Sequence, residues 1–582
     1  MYPEMRLETA PFQSNIPAES LAAPLSGQVG QVDVLASGFD QAVETVFAPF
    51  ANFLSLVVFF EVPVLGTGVP LIVVWLMAAA VFITVYLRFQ PITGLKHSFE
   101  VIRGRLTRKT DPGEVSSFQA LATELSGTVG LGNIAGVAVA ITIGGPGAAL
   151  WIIIFGFFAM SVKMAEATLG VKYRKVHADG TTSGGPMYYL RDGLAEIGRP
   201  RLGRFLGAFY AIVTVVGVFG AGNLFQANQG AAAIVTATGG ESSWFADKLW
   251  LLGLVYAVLA GAVILGGIKK IAEWTGAITP IMAIVYFLSV FAILLVNFTH
   301  IPQAFVLMFQ GAFTGEGVAG GIIGVAIVGI QRALFSNAAG VGSAGMAHSA
   351  VKTHDPATEG FTALWEPLID SIFICTLTAL AIITTGLYTA DAGDGSTAEG
   401  VALTSRAFAT VNDTWFPFVL TVCVVLFAFS TLLSYGYYGQ KAIGYLLGDS
   451  RRAEKVFQIV WVLAIVVGAS ASLDSVIAFS DAMFFLMSVP ALLGMYFLSK
   501  IVRLEILRHR IRAMADQLPD IPEDLQVGIR DHEPSKEQVR SEARRLKALR
   551  TRRREVKREF RKAQKARGVD MSDVPAEELP KA

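Results

Sequence analysis

Charge is scarce in this chain. Only 16% of its 582 residues are Asp, Glu, Lys or Arg, where a soluble domain carries about a quarter. With 53% hydrophobic residues and a mean hydropathy of +0.54, it is too apolar for an ordinary soluble domain. Cysteine is nearly absent: Cys375 and Cys423 both lie in apolar runs, which excludes a disulfide framework and leaves packed thiols. The seven histidines are scattered, with no HExxH and no GxSxG accompanied by partner residues. Zinc hydrolase and nucleophile-elbow chemistry are therefore not expected, and the chain reads as a protein that is not an enzyme and needs no organic cofactor. His348 reads as a packed or pore-side residue rather than a metal ligand. The opening MYPEMRLETAPF lacks the basic region and apolar core of a signal peptide, so the first membrane helix is expected to direct insertion. The basic residues of the last 80 positions are interleaved with Glu, which argues against nucleic acid as a partner.

What the chain does have is long apolar runs. A helix crossing about 30 Å of hydrocarbon needs about 20 apolar residues. Such runs lie near 70–88, 117–142, 147–170, 205–237, 249–267, 276–297, 318–349, 362–386, 415–438, 455–471 and 474–499. They predict an all-α, polytopic membrane protein with about eleven crossings and the lipid bilayer as its surroundings. The piece from Val46 to Val62, shorter and interrupted by Pro49 and Pro63, reads as interfacial or half-inserted. Lys and Arg in short loops resist translocation. The first loop carries Arg88, Lys96, Arg103, Arg105, Arg108 and Lys109 and should be cytoplasmic. Alternation then puts 172–204, Lys269 and Lys270, Lys352, 441–455 and everything after Lys500 inside, while GGESSWFADK and TADAGDGSTAEG fall outside. Residues 1–45 become an extracytoplasmic segment, 46–500 the membrane domain, and 501–582 a charged cytoplasmic tail with opposite charges three and four apart. The tail's basic surplus suits anionic headgroups.

Two of the runs are interrupted. SGTVGLGNIAGVA (126–138) breaks the second crossing and FSNAAGVGSAGMAH (335–348) the seventh. Irregular backbone is tolerated at membrane depth only where it faces protein or a water-filled site. Setting aside the extra helix at 70–88, the other ten crossings form two sets of five, 117–297 and 318–499, each opening on its broken helix. Five is odd, so the two sets have opposite topologies. Matching broken helices in inverted halves point to a transport site near the bilayer midplane. Freed N–H groups there attract a carboxylate, and freed carbonyls and hydroxyls attract a cation.

The strings GTVGLGNIAGVAVAI with GGPGA, EATLGVKYR, GGPMYYL, GNLFQAN, GGIKKI, FSNAAGVGSA with AHSAVKTHDP, and LFAFSTLLSYGYYG occur in the order seen in the alanine or glycine:cation symporter family. The chain resembles that family from about residue 70 to 500. The resemblance implies inverted five-helix repeats similar to the bacterial leucine transporter fold, and uptake of a small neutral amino acid such as alanine or glycine with Na+ as coupling ion, in a bacterial inner or plasma membrane. Proton-coupled transport of another amino acid and, further off, an ion channel are the alternatives; inverted, non-identical breaks argue against the channel, whose filter is commonly built from symmetric loops.

Likeness of GTVGLGN and FSNAAGVG to that transporter's unwound segments implies roles for particular residues. Backbone N–H groups of Leu131 and Gly132 would bind the substrate carboxylate, Phe335 would close over the substrate, and Gly340 and Val341 would form the other wall. Thr128, Ala338 and Gln226, with Asn228 nearby, would line the pocket. Sodium would be held by the carbonyls of Ser126 and Val129 and the hydroxyls of Ser430 and Thr431, hard oxygens for a hard cation. Thr128, Asn133 and Ser336 would form a second sodium site. The family pattern usually has Glu where this chain has Ala338 and Gln440, Pro at Gly345 and Trp at Tyr435, so side-chain range or ion dependence is expected to depart from the family norm. Among charges at membrane depth, Lys163 and Glu166 suggest an interfacial ion pair, Glu366 and Asp370 a gate or a solvated face, Arg332 a permeation-path residue, and Glu124 either a cation or proton site or a structural bond.

Overall fold

Helices make up nearly all the regular structure, because a backbone in lipid must satisfy its own hydrogen bonds. A computed structural model describes residues 38–515 apart from 65–66, 104–110, 179, 315–320, 390–399 and 414, together with 537, 540–549, 551 and 558. Most of the N-terminal segment, of TADAGDGSTAEG and of the charged tail lies outside the described residues. The two small sheets are antiparallel pairs, Glu61–Val64 with Thr67–Pro70 and Lys175–Val176 with Thr182–Ser183.

Each expected crossing corresponds to helix. The first is Leu71–Tyr86. The first set of five then consists of Ser117–Thr128 with Val137–Gly144, Pro146–Lys172, Pro200–Phe219 with Phe225–Ala237, Leu249–Ile264, and Gly267–Val296. The second set consists of Gly321–Asn337 with Ser343–His348, Pro356–Ala363 leading to Cys375–Thr385, Phe416–Leu446, Arg451–Ser470, and Leu473–Ala515. Seven of these are long and apolar enough to span a membrane by themselves. The pair Ser117–Thr128 and Gly132–Gly144, bent by 50°, makes an eighth if counted as one span. Leu71–Tyr86, Leu249–Ile264 and Gly321–Asn337 are apolar but shorter.

Several ends carry the local chemistry that starts a helix. Ser116 and Gln119 form a capping box ahead of 117–128. Asp355 accepts the Ala357 N–H ahead of 356–363, and Ser450 caps 451–470. The Val46–Val62 piece differs from expectation. A helix runs unbroken through Pro49, from Gly38 to Val58. An interior proline removes a hydrogen bond, but here the helix continues and packs on the 473–515 helix, with Phe50 against Phe479 and Phe59 against Phe485.

The basic loops meet at one end of the molecule. The Arg174 guanidinium donates to the carbonyls of Pro112, Ser349, Val351 and Thr353. Lys172 pairs with Glu505, Lys175 with Asp449, and Lys441 reaches the Thr182 carbonyl. Ala272, just after Lys269 and Lys270, packs with Val115, Ala350 and Val351.

Candidate functional site

The first break begins where the 117–128 helix ends. Val129 leaves the helical region at φ −72° and ψ 89°, and a π-helical turn, Gly132–Gly136, follows before the helix resumes at Val137. The Ser126 carbonyl, released near this end, meets the 416–446 helix of the other set. Thr431 Oγ1 lies 2.8 Å from it and Ser430 Oγ 3.4 Å. Both hydroxyls also lie 3.0 Å from the Phe427 carbonyl. A hydroxyl has one proton to give and two lone pairs, so each can bond back along its own helix and still offer an oxygen towards the break. All three residues are buried. A Cβ on Gly130 would stand 2.9 Å from Thr431 Oγ1 and 3.8 Å from Gln226 Oε1. Gln226 donates its Nε2 to the Ala221 carbonyl, while its Oε1 is a buried acceptor without a hydrogen-bond partner. A free acceptor beside the break suits an ammonium donor. Asn228 is occupied elsewhere, bonded to the Ala471 carbonyl and to Gln229.

The second break begins at Ala338, a non-glycine residue at φ 50°, and continues through Gly340 and Gly342 at φ 95° and 96°. Only glycine adopts that region freely. The two breaks meet through Phe335 and Ser336. A Cβ on Gly132 would lie 3.0 Å from Ser336 Cα and 3.3 Å from the Phe335 carbonyl oxygen. The Phe335 ring stands edge-on to Phe225 at 4.9 Å and tilted to Phe484 at 5.9 Å. Arg332, one turn earlier, sits over that ring at 5.4 Å and pairs with Asp481 on the 473–515 helix.

Asn133 joins the breaks from the other side. Its Oδ1 accepts the Gly130 N–H at 2.9 Å, while its Nδ2 donates to Asp370 Oδ1 at 2.6 Å and to Ser336 Oγ at 3.1 Å. Ser336 donates in turn to Asp370 Oδ2 at 2.6 Å. Asp370 is therefore not a solvated residue but a buried carboxylate between the two breaks. The Thr128 hydroxyl turns back to the Glu124 carbonyl at 3.1 Å, and Leu131 and Ala338 are fully buried. Gly340 and Val341 touch other surroundings: a Cβ on Gly340 would meet Leu492 and Leu76, and the Val341 carbonyl accepts from Tyr210.

Beneath the breaks runs a ladder of alternating charge. Ser117 donates to Glu359, whose other oxygen lies 2.6 Å from His348 Nδ1. His348 Nε2 is 2.7 Å from Glu366, which faces Lys163 at 3.2 Å. Lys163 reaches Glu124 at 2.5 Å, and Glu124 also accepts from Ser343 and Tyr438. Every charged side chain in this ladder has 0% exposure. Two expectations are corrected here. Lys163 does not pair with Glu166 at an interface; it is fully buried and bridges Glu124 and Glu366, because its reach crosses to two neighbouring helices. Glu366 does not share a solvated face with Asp370. Glu366 lies in the short Trp365–Pro367 helix and Asp370 in the π-helical stretch Leu368–Ile374 that follows, and the two carboxylates serve separate networks. Glu124 bonds to both sets, through Lys163 on one side and Ser343 and Tyr438 on the other. The site therefore contains Asp370, His348, Glu359 and Tyr438 in roles that the sequence did not indicate. A carboxylate inside an apolar run was the available signal for Asp370.

Two of the positions that depart from the family pattern have clear local partners. Gln440 donates to Glu454 at 2.9 Å and accepts from Gln458 at 3.0 Å. A carboxylate there would face Glu454, so the amide is locally consistent and belongs to the packing of 416–446 on 451–470. Tyr435 stacks on Phe484 and lies against Gly127 and Gly222.

Two broken helices in matching positions of two five-helix sets, meeting around buried polar groups, define a secondary transporter. The Sodium:alanine symporter family matches residues 55–520. The "Sodium/alanine symporter AgcS" of Methanococcus maripaludis is 39% identical over 438 residues, covering 74% of this chain and 92% of that protein. The "Probable sodium/glutamine symporter GlnT" of Bacillus subtilis is 31% identical over 74% and 86%. The "Amino-acid carrier protein AlsT" of the same organism is 31% identical over 66% and 78%. The chain belongs to the sodium:alanine symporter family, and is a multi-pass membrane protein that carries out amino-acid:cation symport.

Proposed function

We propose that this protein couples the sodium gradient to uptake of a small neutral amino acid, alanine or glycine, by alternating access. The observation that carries the reading is the meeting of the Ser126 carbonyl with the hydroxyls of Ser430 and Thr431. Three hard oxygens from two sets converge where one helix breaks, which suits a sodium ion and makes the ion a tie between the halves. The Val129 carbonyl, at the residue that leaves the helix, completes the set. The substrate carboxylate binds the N–H groups of Leu131 and Gly132, and Gln226 Oε1 takes its ammonium. Phe335 closes over the substrate, and Ala338, Gly340 and Val341 line the second break. The close approach of Gly132 to Ser336 supports a small ligand. A second sodium lies by Thr128, Asn133 and Ser336, with Asp370 supplying the negative charge. The basic end faces the cytoplasm, with the N-terminus outside, in the plasma membrane. The test is equilibrium binding of labelled alanine and glycine to the purified protein at graded sodium. Affinity that rises with sodium and is not restored by potassium supports the reading, and sodium-independent binding removes it.

A further inference from the structure

Glu166 stands outside the charge ladder. Its Oε1 accepts the N–H groups of Gly340 at 2.6 Å and Gly342 at 3.2 Å, both in the second break. Its Oε2 is buried and has no hydrogen-bond partner. The neighbourhood has too few positive charges. Glu124, Glu166, Glu359 and Glu366 are four fully buried carboxyl groups, against Lys163 and His348. Both bases are already shared, Lys163 between Glu124 and Glu366, and His348 between Glu359 and Glu366.

The charged groups that act on Glu166 are Lys163 from its own helix, Glu124 from the 117–128 helix and Glu366 from the second set. The phenols of Tyr189, Tyr210 and Tyr435 also lie near it. His348 and Glu359 lie further along the ladder. The other charges on helices packed against 146–172 have their own partners: Asp370 with Asn133 and Ser336, Arg332 with Asp481, and Glu505 with Lys172.

A carboxylate buried without a counter-ion costs more than a single unsatisfied hydroxyl. The neutral acid also fits the geometry: a carbonyl oxygen receives two N–H groups, and the hydroxyl is the oxygen without a donor facing it. We propose that Glu166 is a proton-binding site in the wall of the second break. It holds a proton while the break is closed and gives it to water when Gly340 and Gly342 move away and solvent reaches Oε2. The O–H bond of the acid breaks, the proton passes to water, and the carboxylate is left hydrated. A proton thereby becomes a ligand of the cycle in addition to the amino acid and its coupling cation.

Infrared spectroscopy of the purified full-length protein, in H2O and D2O, tests this without any transport step. The wild type is expected to show a neutral-carboxyl band that shifts in D2O, is lost in Glu166→Gln and is kept in Glu359→Gln. A band that persists unchanged in Glu166→Gln overturns the proposal. If Glu166→Gln does not fold, Glu166→Asp takes its place: a displaced band supports the site, and an unmoved one removes it. Neither outcome depends on which amino acid or cation the protein carries.

Discussion

The proposed function rests on a few oxygens that are mostly not charged. Ser430 and Thr431 look like ordinary helix hydroxyls, and both do bond back to Phe427. Their second contact, with the Ser126 carbonyl, separates them from that role. Ser430→Ala with Thr431→Ala should raise the half-saturating sodium for alanine binding about tenfold or more, since hydrogen-bonding groups of this kind contribute about 1–3 kcal/mol when a buried or charged partner is left without them. Thermal stability should change far less. Sodium titration of binding in the double variant checks it, and an unmoved half-saturation point would dismiss these hydroxyls as ligands. Gly132→Val is expected to abolish alanine binding while the protein still inserts. The new Cβ would stand 3.0 Å from the Ser336 backbone, where nothing flexible can yield. Retained affinity in that variant would mark the segment as helix packing. The break at Gly132 was readable from the sequence because glycine, serine and asparagine interrupting an apolar run need a reason, whereas Ser430 and Thr431 were singled out only through the family resemblance. Asp370, Lys163 and Tyr438 were harder to assign, since their partners lie on helices distant in the chain, and spacing along one helix says nothing about them.

At the scale of elements, the broken helices are held by pairs from other segments. Arg332, in the helix that leads into the second break, is tied to Asp481 on the 473–515 helix and covers Phe335. Removing one partner leaves the other charge buried without compensation, a loss of about 3–5 kcal/mol. Arg332→Gln alone and Asp481→Asn alone should therefore each lower the melting temperature of the purified protein, and the double variant should lower it by less than the sum of the two single losses. Strictly additive losses would show that the pair does not act as a unit. The helical segments were readable from length and apolarity, and both breaks from their glycines, although only seven or eight of the eleven expected crossings are long and apolar enough to span by themselves. The continuation of the 38–58 helix through Pro49 was not, because packing against Phe479 and Phe485 outweighs the local penalty. The 301–313 helix was also missed, since its thirteen residues are too few for a crossing.

Across the whole molecule, the basic end is sewn together by groups far apart in sequence. His97, on the short Leu95–Ile102 helix, meets His509 at 2.8 Å, and His509 meets Asp355 at 2.9 Å. His97 is pushed down to about 4, first by burial and then by the nearby His509 and Arg510. The folded protein thus holds it neutral. Its contribution is fully present above about 6.5, the value of the free imidazole, and is lost as pH falls from there towards about 4. Hydrogen-exchange protection of residues 95–102 should decline across that window and should be flatter in His97→Gln; a pH-independent profile in the wild type would refute the assignment.

The central claim is coupling, and it is tested most directly by uptake of labelled alanine into liposomes containing the purified protein. An inward sodium gradient should drive alanine above its equilibrium level, and collapsing that gradient with a sodium ionophore should abolish accumulation. Accumulation that survives the loss of the sodium gradient, or flux that only equalises alanine across the membrane while the gradient is intact, would contradict the account.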